Sequence, residues 1–113
     1  MKYKNKKTVL NGVAYDSKKE ALKLEELRLL EKAGKIKDLT FKNVYDFRVC
    51  GEPVRYITKN KKGRVLTYTD DACFFDIDTN KWRVIDVKGF ETKEFKIKRA
   101  LMKSINNIDI ELW

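Results

Sequence analysis

Leu66-Thr67-Tyr68-Thr69-Asp70-Asp71-Ala72-Cys73-Phe74-Phe75 and Trp82-Arg83-Val84-Ile85-Asp86-Val87-Lys88, with Asp76-Ile77-Asp78-Thr79-Asn80 between them, are the stretches from which the fold is read. Both are rich in β-branched and aromatic residues, and the segment between them is rich in the Asp and Asn that tight turns favour. The pattern predicts two strands of a hairpin. Each strand also interrupts its apolar run with acids. Side chains two apart on a strand share a face, so Asp86 and Lys88 stand side by side while Ile85 and Val87 point the other way. Pairing across the Asp76–Asn80 turn brings Asp71 near Asp86, with a bulge or slip able to change the register. Two carboxylates and a lysine then converge at a strand end.

Outward from this hairpin, Leu39, Phe41, Tyr45, Phe47 and Val49 recur mainly at even spacing from Lys37, which predicts one strand ended by Cys50-Gly51-Glu52-Pro53. Val54–Thr58 and Val65–Phe75 are further strands around the turn Lys59-Asn60-Lys61-Lys62-Gly63, and with Trp82–Val87 they form an antiparallel meander. Towards the N-terminus, Asn11-Gly12 between Thr8-Val9-Leu10 and Val13-Ala14-Tyr15 signals a β-hairpin. Ser17-Lys18-Lys19-Glu20 is a capping box that opens a helix over 17–33, with Ala21, Leu24, Leu27, Leu30 and Ala33 at near-helical spacing and Gly34 as its stop. After Gly89, Thr92 caps a second helix through Lys103 with an apolar face of Phe95, Ala100, Leu101 and Ile105, and Ile108–Leu112 alternates as a last strand. The order is hairpin, α, several β, α, β, an α/β or α+β unit with a mixed sheet flanked by helices.

The chain has 113 residues, the size of one domain spanning 1–113. Lys and Arg number 26 against 17 Asp and Glu, a formal charge of +9 that points to a polyanionic partner. No apolar run approaches the length of a membrane span and no signal-peptide core follows the basic MKYKNKK, so a cytoplasmic protein with no membrane partner is expected. Residues 1–7 read either as a disordered, solvated tail or as a nucleic-acid-binding arm. The absence of histidine excludes His-based triads and HExxH metal sites, and the five glycines form no phosphate loop. Cys50 and Cys73 read as reduced core thiols. Catalysis, if present, rests on carboxylates, lysine and a hard metal.

Two carboxylates beside a lysine suit Mg²⁺, which takes oxygen ligands and keeps several waters. Asp71 and Asp86 are the candidate ligands. Lys88 is placed to orient or deprotonate an attacking water, or to stabilise charge on a phosphate. The plain alternative is an exposed charge pair on one strand and a turn that begins at Asp70-Asp71. What favours a site is the setting: an Asp-x-Lys closing an apolar strand, an acidic strand before it and a basic helix after it.

These residues resemble the PD-(D/E)xK nucleases of the restriction-endonuclease-like fold, and more closely the small phage-encoded endonucleases similar to Holliday-junction resolvases. The likeness runs through Tyr15–Ala21, Glu31–Ile36, Tyr68–Asp71 and, most specifically, Asp86-Val87-Lys88-Gly89-Phe90-Glu91-Thr92-Lys93-Glu94-Phe95. It implies an αβββαβ core and Mg²⁺- or Mn²⁺-dependent hydrolysis of DNA phosphodiesters, often on branched DNA by a homodimer. It also implies catalytic roles for Glu20, Asp71, Asp86 and Lys88, with Glu20 joining Asp71 and Asp86 as a metal ligand. Two departures stand out: Asp70 occupies the place of the family's proline, and Asp86 that of the more frequent Glu. The capping box by itself fully explains a Glu at position 20 and is the first reading from the residues, and the two roles are compatible.

Lys93, Lys96, Lys98, Arg99 and Lys103 on the second helix, with Lys61 and Lys62 in the basic turn, are candidate contacts to DNA phosphates, which position DNA without reading its sequence. Tyr56, Tyr68, Trp82 and Phe90 read first as core or sheet-face aromatics rather than base-stacking platforms. The competing functions are a non-catalytic basic DNA-binding protein and a phage interaction or inhibitor protein on the same fold.

Overall fold

The computed structural model of the chain describes residues 8–10, 13–15, 17–60, 62–88 and 90–113. β1 (Thr8–Leu10) pairs antiparallel with β2 (Val13–Tyr15), placing Thr8 opposite Tyr15 as the hairpin pattern requires. Residues 1–7, the Asn11-Gly12 turn, Asp16, Lys61 and Gly89 lie outside the described residues. α1 (Lys18–Lys32) starts where the Ser17 hydroxyl accepts the Glu20 backbone N–H at 3.1 Å, giving a partner to an amide the first turn leaves open. It stops at Gly34, whose φ of +76° suits glycine, and the Lys35 N–H returns to the Leu30 carbonyl at 3.0 Å in a Schellman turn.

The chain continues through β3 (Ile36–Phe41), β4 (Val44–Asp46), β5 (Arg48–Val49), β6 (Glu52–Pro53), β7 (Arg55–Ile57), β8 (Gly63–Val65), β9 (Thr67–Thr69), β10 (Ala72–Asp76) and β11 (Lys81–Asp86). α2 (Lys93–Asn106) and β12 (Ile110–Leu112) complete it. α2 begins as its sequence predicts, with the Thr92 hydroxyl accepting the Phe95 N–H at 3.1 Å. The fold is α+β. Its central sheet has four strands in the order β12-β11-β10-β3, with β12 parallel to β11 and the other pairs antiparallel, hence mixed. The sheet and its helices follow one another as α-β-β-β-α-β along the chain.

Alternation along β10 and β11 sends side chains to two cores. Ala72, Phe74 and Ile85 pack with Ala21, Leu24 and Leu27 of α1, while Val84 packs on the opposite face with Phe95 and Met102 of α2, Ile110 of β12, Phe47 and Tyr68. A sheet buried on both faces explains the nearly continuous apolar runs in its central strands. Each buried Leu or Phe contributes roughly 1.5–3 kcal/mol relative to exposure.

Four expectations are corrected. The strand predicted from Lys37 to Val49 breaks at Lys42, which takes φ +55°, and β4 leaves the central sheet to pair with β9. Val65–Phe75 is three strands, interrupted at Leu66 and at Asp70-Asp71, because β8 pairs with β7, β9 with β4 and β10 with β3 and β11. Cys50 is an exposed residue at φ +52° in the turn joining β5 and β6, not a core thiol, and Cys73 is half-buried; both are free. Ala100 is exposed, since five residues turn a helix about 140° away from Phe95, and Met102, seven residues on, takes its place in the core. Among the described residues no helix is long and apolar enough to cross a membrane.

Candidate functional site

Asp71 sits at the corner before β10. Its backbone N–H donates to the Ile85 carbonyl at 3.0 Å, which holds it across from Asp86, and its Oδ2 accepts the Val87 N–H at 2.6 Å. Asp86 ends β11 at only 3% exposure, and its Oδ2 accepts the Tyr68 hydroxyl of β9 at 2.6 Å. Lys88 follows on the same side of the strand, its Nζ 3.6 Å from Asp86 Oδ1 and 4.8 Å from the centre of the Phe95 ring. Ile85 turns to the α1 core, as strand alternation requires.

Glu20, 5% exposed, enters from the first turn of α1. Its carboxylate is held by Lys42, whose ammonium stands 2.8 Å from Glu20 Oε1 and 2.7 Å from Asp71 Oδ1. The start of α1 is also tied to the end of the β11 strand, because Lys19 Nζ donates to the Lys88 carbonyl at 2.8 Å. Structure therefore brings together all four residues singled out in the sequence, Glu20, Asp71, Asp86 and Lys88, and adds Lys42 and Tyr68.

Burial pushes the Asp86 carboxyl above its ordinary value, the Tyr68 hydrogen bond and the Lys88 charge oppose this, and the neighbouring Asp71 charge reinforces it. Burial works against the charge on Lys42, but its bonds to Asp71 and Glu20 outweigh that and hold it above an ordinary lysine. Burial and the Asp86 carboxylate keep Tyr68 protonated, so it serves as a hydrogen-bond donor.

The donor set consists of carboxylate oxygens without sulfur or imidazole, which suits a hard divalent ion such as Mg²⁺ or Mn²⁺ rather than zinc. Asp71 and Asp86 would hold such an ion, with Glu20 beyond Lys42. Among the described residues no three acidic, Cys or His side chains are placed together so as to hold a metal ion, and Lys42 stands between two of the acids.

A family model described as "Protein of unknown function (DUF1064)" matches residues 1–112. The chain belongs to the DUF1064 family. No curated protein and no solved structure matches it.

In this DUF1064 protein the candidate phosphate contacts differ in their surroundings. Lys93 and Lys96 are exposed on α2, whereas Lys98 pairs with Glu94 at 3.2 Å, Arg99 with Glu91 at 3.7 Å and Lys103 with Asp109 at 2.8 Å. Lys62 is exposed in the loop after β7, and Lys61 falls outside the described residues. Among the aromatics, Tyr68 is core, while Tyr56, Trp82 and Phe90 are exposed, Phe90 by 75%. Asp70 points away from Asp71 and is fully buried, accepting the Asn43 N–H at 2.8 Å and the Tyr45 hydroxyl at 2.7 Å. Sequence reasoning missed Lys42, one cation among 26; the signal available was Asn43, a residue that strands disfavour, inside a supposed strand.

Proposed function

We propose that this DUF1064 protein is a divalent-metal-dependent endodeoxyribonuclease with a restriction-endonuclease-like core, acting in the cytoplasm of a phage-infected host on branched DNA as a homodimer. One observation carries the reading: Asp71, Asp86 and Lys88 meet at one end of β10 and β11, beside the buried Glu20 of α1. The α-β-β-β-α-β order of the sheet and its helices supports it. Asp71 and Asp86 would hold Mg²⁺ or Mn²⁺, and Glu20 would complete the acidic shell. When bound, the ion supplies polarisation of the scissile phosphate and a water of lowered pKa. Lys88 holds a positive charge beside Asp86, where it orients the water or neutralises the phosphate, and Tyr68 fixes the Asp86 carboxylate. Exposed Lys93 and Lys96 hold the departing backbone.

The test is Mg²⁺-dependent cleavage of a labelled four-way junction beside matched linear duplex. Wild type is expected to cut the junction, and Lys88→Ala to lose about 100-fold or more of that activity. Absence of cleavage of either substrate in Mg²⁺ and Mn²⁺, with DNA still bound, would overturn the enzymatic reading. A second reading, a non-catalytic DNA-binding protein on this fold, is favoured by Lys42, which already neutralises Glu20 and Asp71. It predicts DNA binding indifferent to Mg²⁺.

A further inference from the structure

β7 and β8 form a two-stranded ribbon of their own, with Arg55 opposite Val65, Tyr56 opposite Arg64 and Ile57 opposite Gly63. Both faces meet water: Arg55, Tyr56, Ile57, Gly63 and Arg64 are all exposed, Ile57 by 78% and Tyr56 by 47%. A lone two-stranded hairpin is marginally stable in water, and among the described residues no side chain of this one belongs to either hydrophobic core. Its tip is nonetheless shaped, since both the N–H and the hydroxyl of Thr58 donate to the Lys62 carbonyl, at 3.2 and 3.1 Å, closing the loop. Along the ribbon the Arg55 side chain lies across Gly63, where a Cβ would meet its Cδ at 3.4 Å.

Charge is concentrated here. Residues 55–65 contain five cations, Arg55, Lys59, Lys61, Lys62 and Arg64, and no acid, more than half of the net +9 of the whole chain. Arg55, Lys59, Lys62 and Arg64 make no ion pair among the described residues, in contrast to Lys98, Arg99 and Lys103 of α2, each of which has its own acid. Five like charges within eleven residues of sequence repel one another, and a polyanion relieves that repulsion while releasing its own counterions.

Shape narrows the class of polyanion. The major groove of B-form DNA, about 12 Å wide, admits a two-stranded β-ribbon, whereas the major groove of A-form RNA is too deep and narrow for side chains to read. Position ties the ribbon to the site. β8 runs within two residues into β9, whose Tyr68 holds Asp86, and a cleft of about 200 Å³ lined by Tyr56, Val65, Glu94 and Lys98 sets the ribbon base beside the start of α2.

We propose that the β7–β8 ribbon is an arm that enters the major groove of duplex DNA flanking the cut, its cations on the phosphates and Tyr56 and Ile57 against the groove wall. This rests on the reading of DNA as the substrate and adds the element that grips it. The test measures anisotropy of a labelled DNA duplex, and of double-stranded RNA of the same sequence, across a salt series in EDTA. The proteins are wild type, the ribbon variant R55Q/K59Q/K62Q/R64Q, the tip variant K59Q/K62Q and the helix variant K93Q/K96Q. All substituted side chains are exposed, so melting temperatures should match wild type.

Wild type is expected to prefer DNA. The ribbon variant should lose at least about tenfold in affinity with a log–log salt slope shallower by about three to four, and the tip variant about half of that change in slope. A ribbon variant that keeps wild-type affinity and slope overturns the arm and leaves the nuclease reading standing. Equal binding of RNA, lost equally on ribbon substitution, overturns entry into the major groove. A wild-type protein that binds no DNA at any salt overturns the substrate reading itself.

Discussion

Asp70 and Asp71 are covalent neighbours with opposite employment. Asp70 is fully buried and joins the β9–β10 corner to the start of β4 by accepting the backbone N–H and side-chain amide of Asn43 and the hydroxyl of Tyr45, so its removal takes the acceptor from three donors. Asp70→Ala should lower unfolding stability by on the order of 3 kcal/mol in urea melts. Asp71→Asn, which keeps an acceptor for the Val87 N–H, should cost under about 1 kcal/mol and abolish the metal-dependent cleavage proposed above. Two neighbouring acids are legible in the sequence, and strand alternation separates their directions; which one carries structure is not, because Asn43 and Tyr45 come from a segment that reads as an uninterrupted strand. Lys42 is the other decisive residue. Its ammonium, 2.7–2.8 Å from two carboxylates, must be displaced before Glu20 and Asp71 can share an ion. Lys42→Met should therefore bind Mn²⁺ about tenfold or more tightly by calorimetry, and its metal-free melting temperature should fall and recover on adding Mn²⁺. Unchanged affinity would show that Lys42 does not compete with metal.

At the scale of elements, both helices, their caps, the β10–β11 hairpin and the closing strand are legible, because each carries a local signal: a capping hydroxyl, a helical stripe or an alternating run. The short strands between β3 and β10 are not, because their breaks at Lys42, Leu66 and Asp70 are dictated by partners far along the chain. The β10–β11 turn supplies a pH prediction. Burial would raise the Asp76 carboxyl, but hydrogen bonds from Thr79, from Arg83 at 3.1 Å and from the Asp78 N–H at 3.0 Å outweigh it and hold the group below its ordinary value. A depressed carboxylate contributes stability that is present above its unfolded pKa of about 3.9 and is lost as pH falls through the folded value. The difference in melting temperature between wild type and Asp76→Asn should be widest near neutrality and should close below about pH 4. A gap that widens with acid would contradict this assignment.

As a whole the molecule is long and flat, 48 × 37 × 21 Å, with a radius of gyration of 15.9 Å against about 13 Å for a compact chain of this length. One chain carries one candidate site, so paired cuts across a junction need two copies; sedimentation with a four-way junction should give two protomers per junction, and a strict one-to-one complex would exclude paired cleavage. Finally, the two tryptophans occupy unlike settings. Trp82 is 60% exposed, edge-on to Phe75, whereas half-buried Trp113 donates its backbone N–H to the Asp86 carbonyl at 3.0 Å and lies 6.0 Å from the cations of Lys23 and Arg83. An aqueous quencher silences the first before the second, which leaves the protein with an intrinsic optical gauge fixed to the strand end where its acids meet.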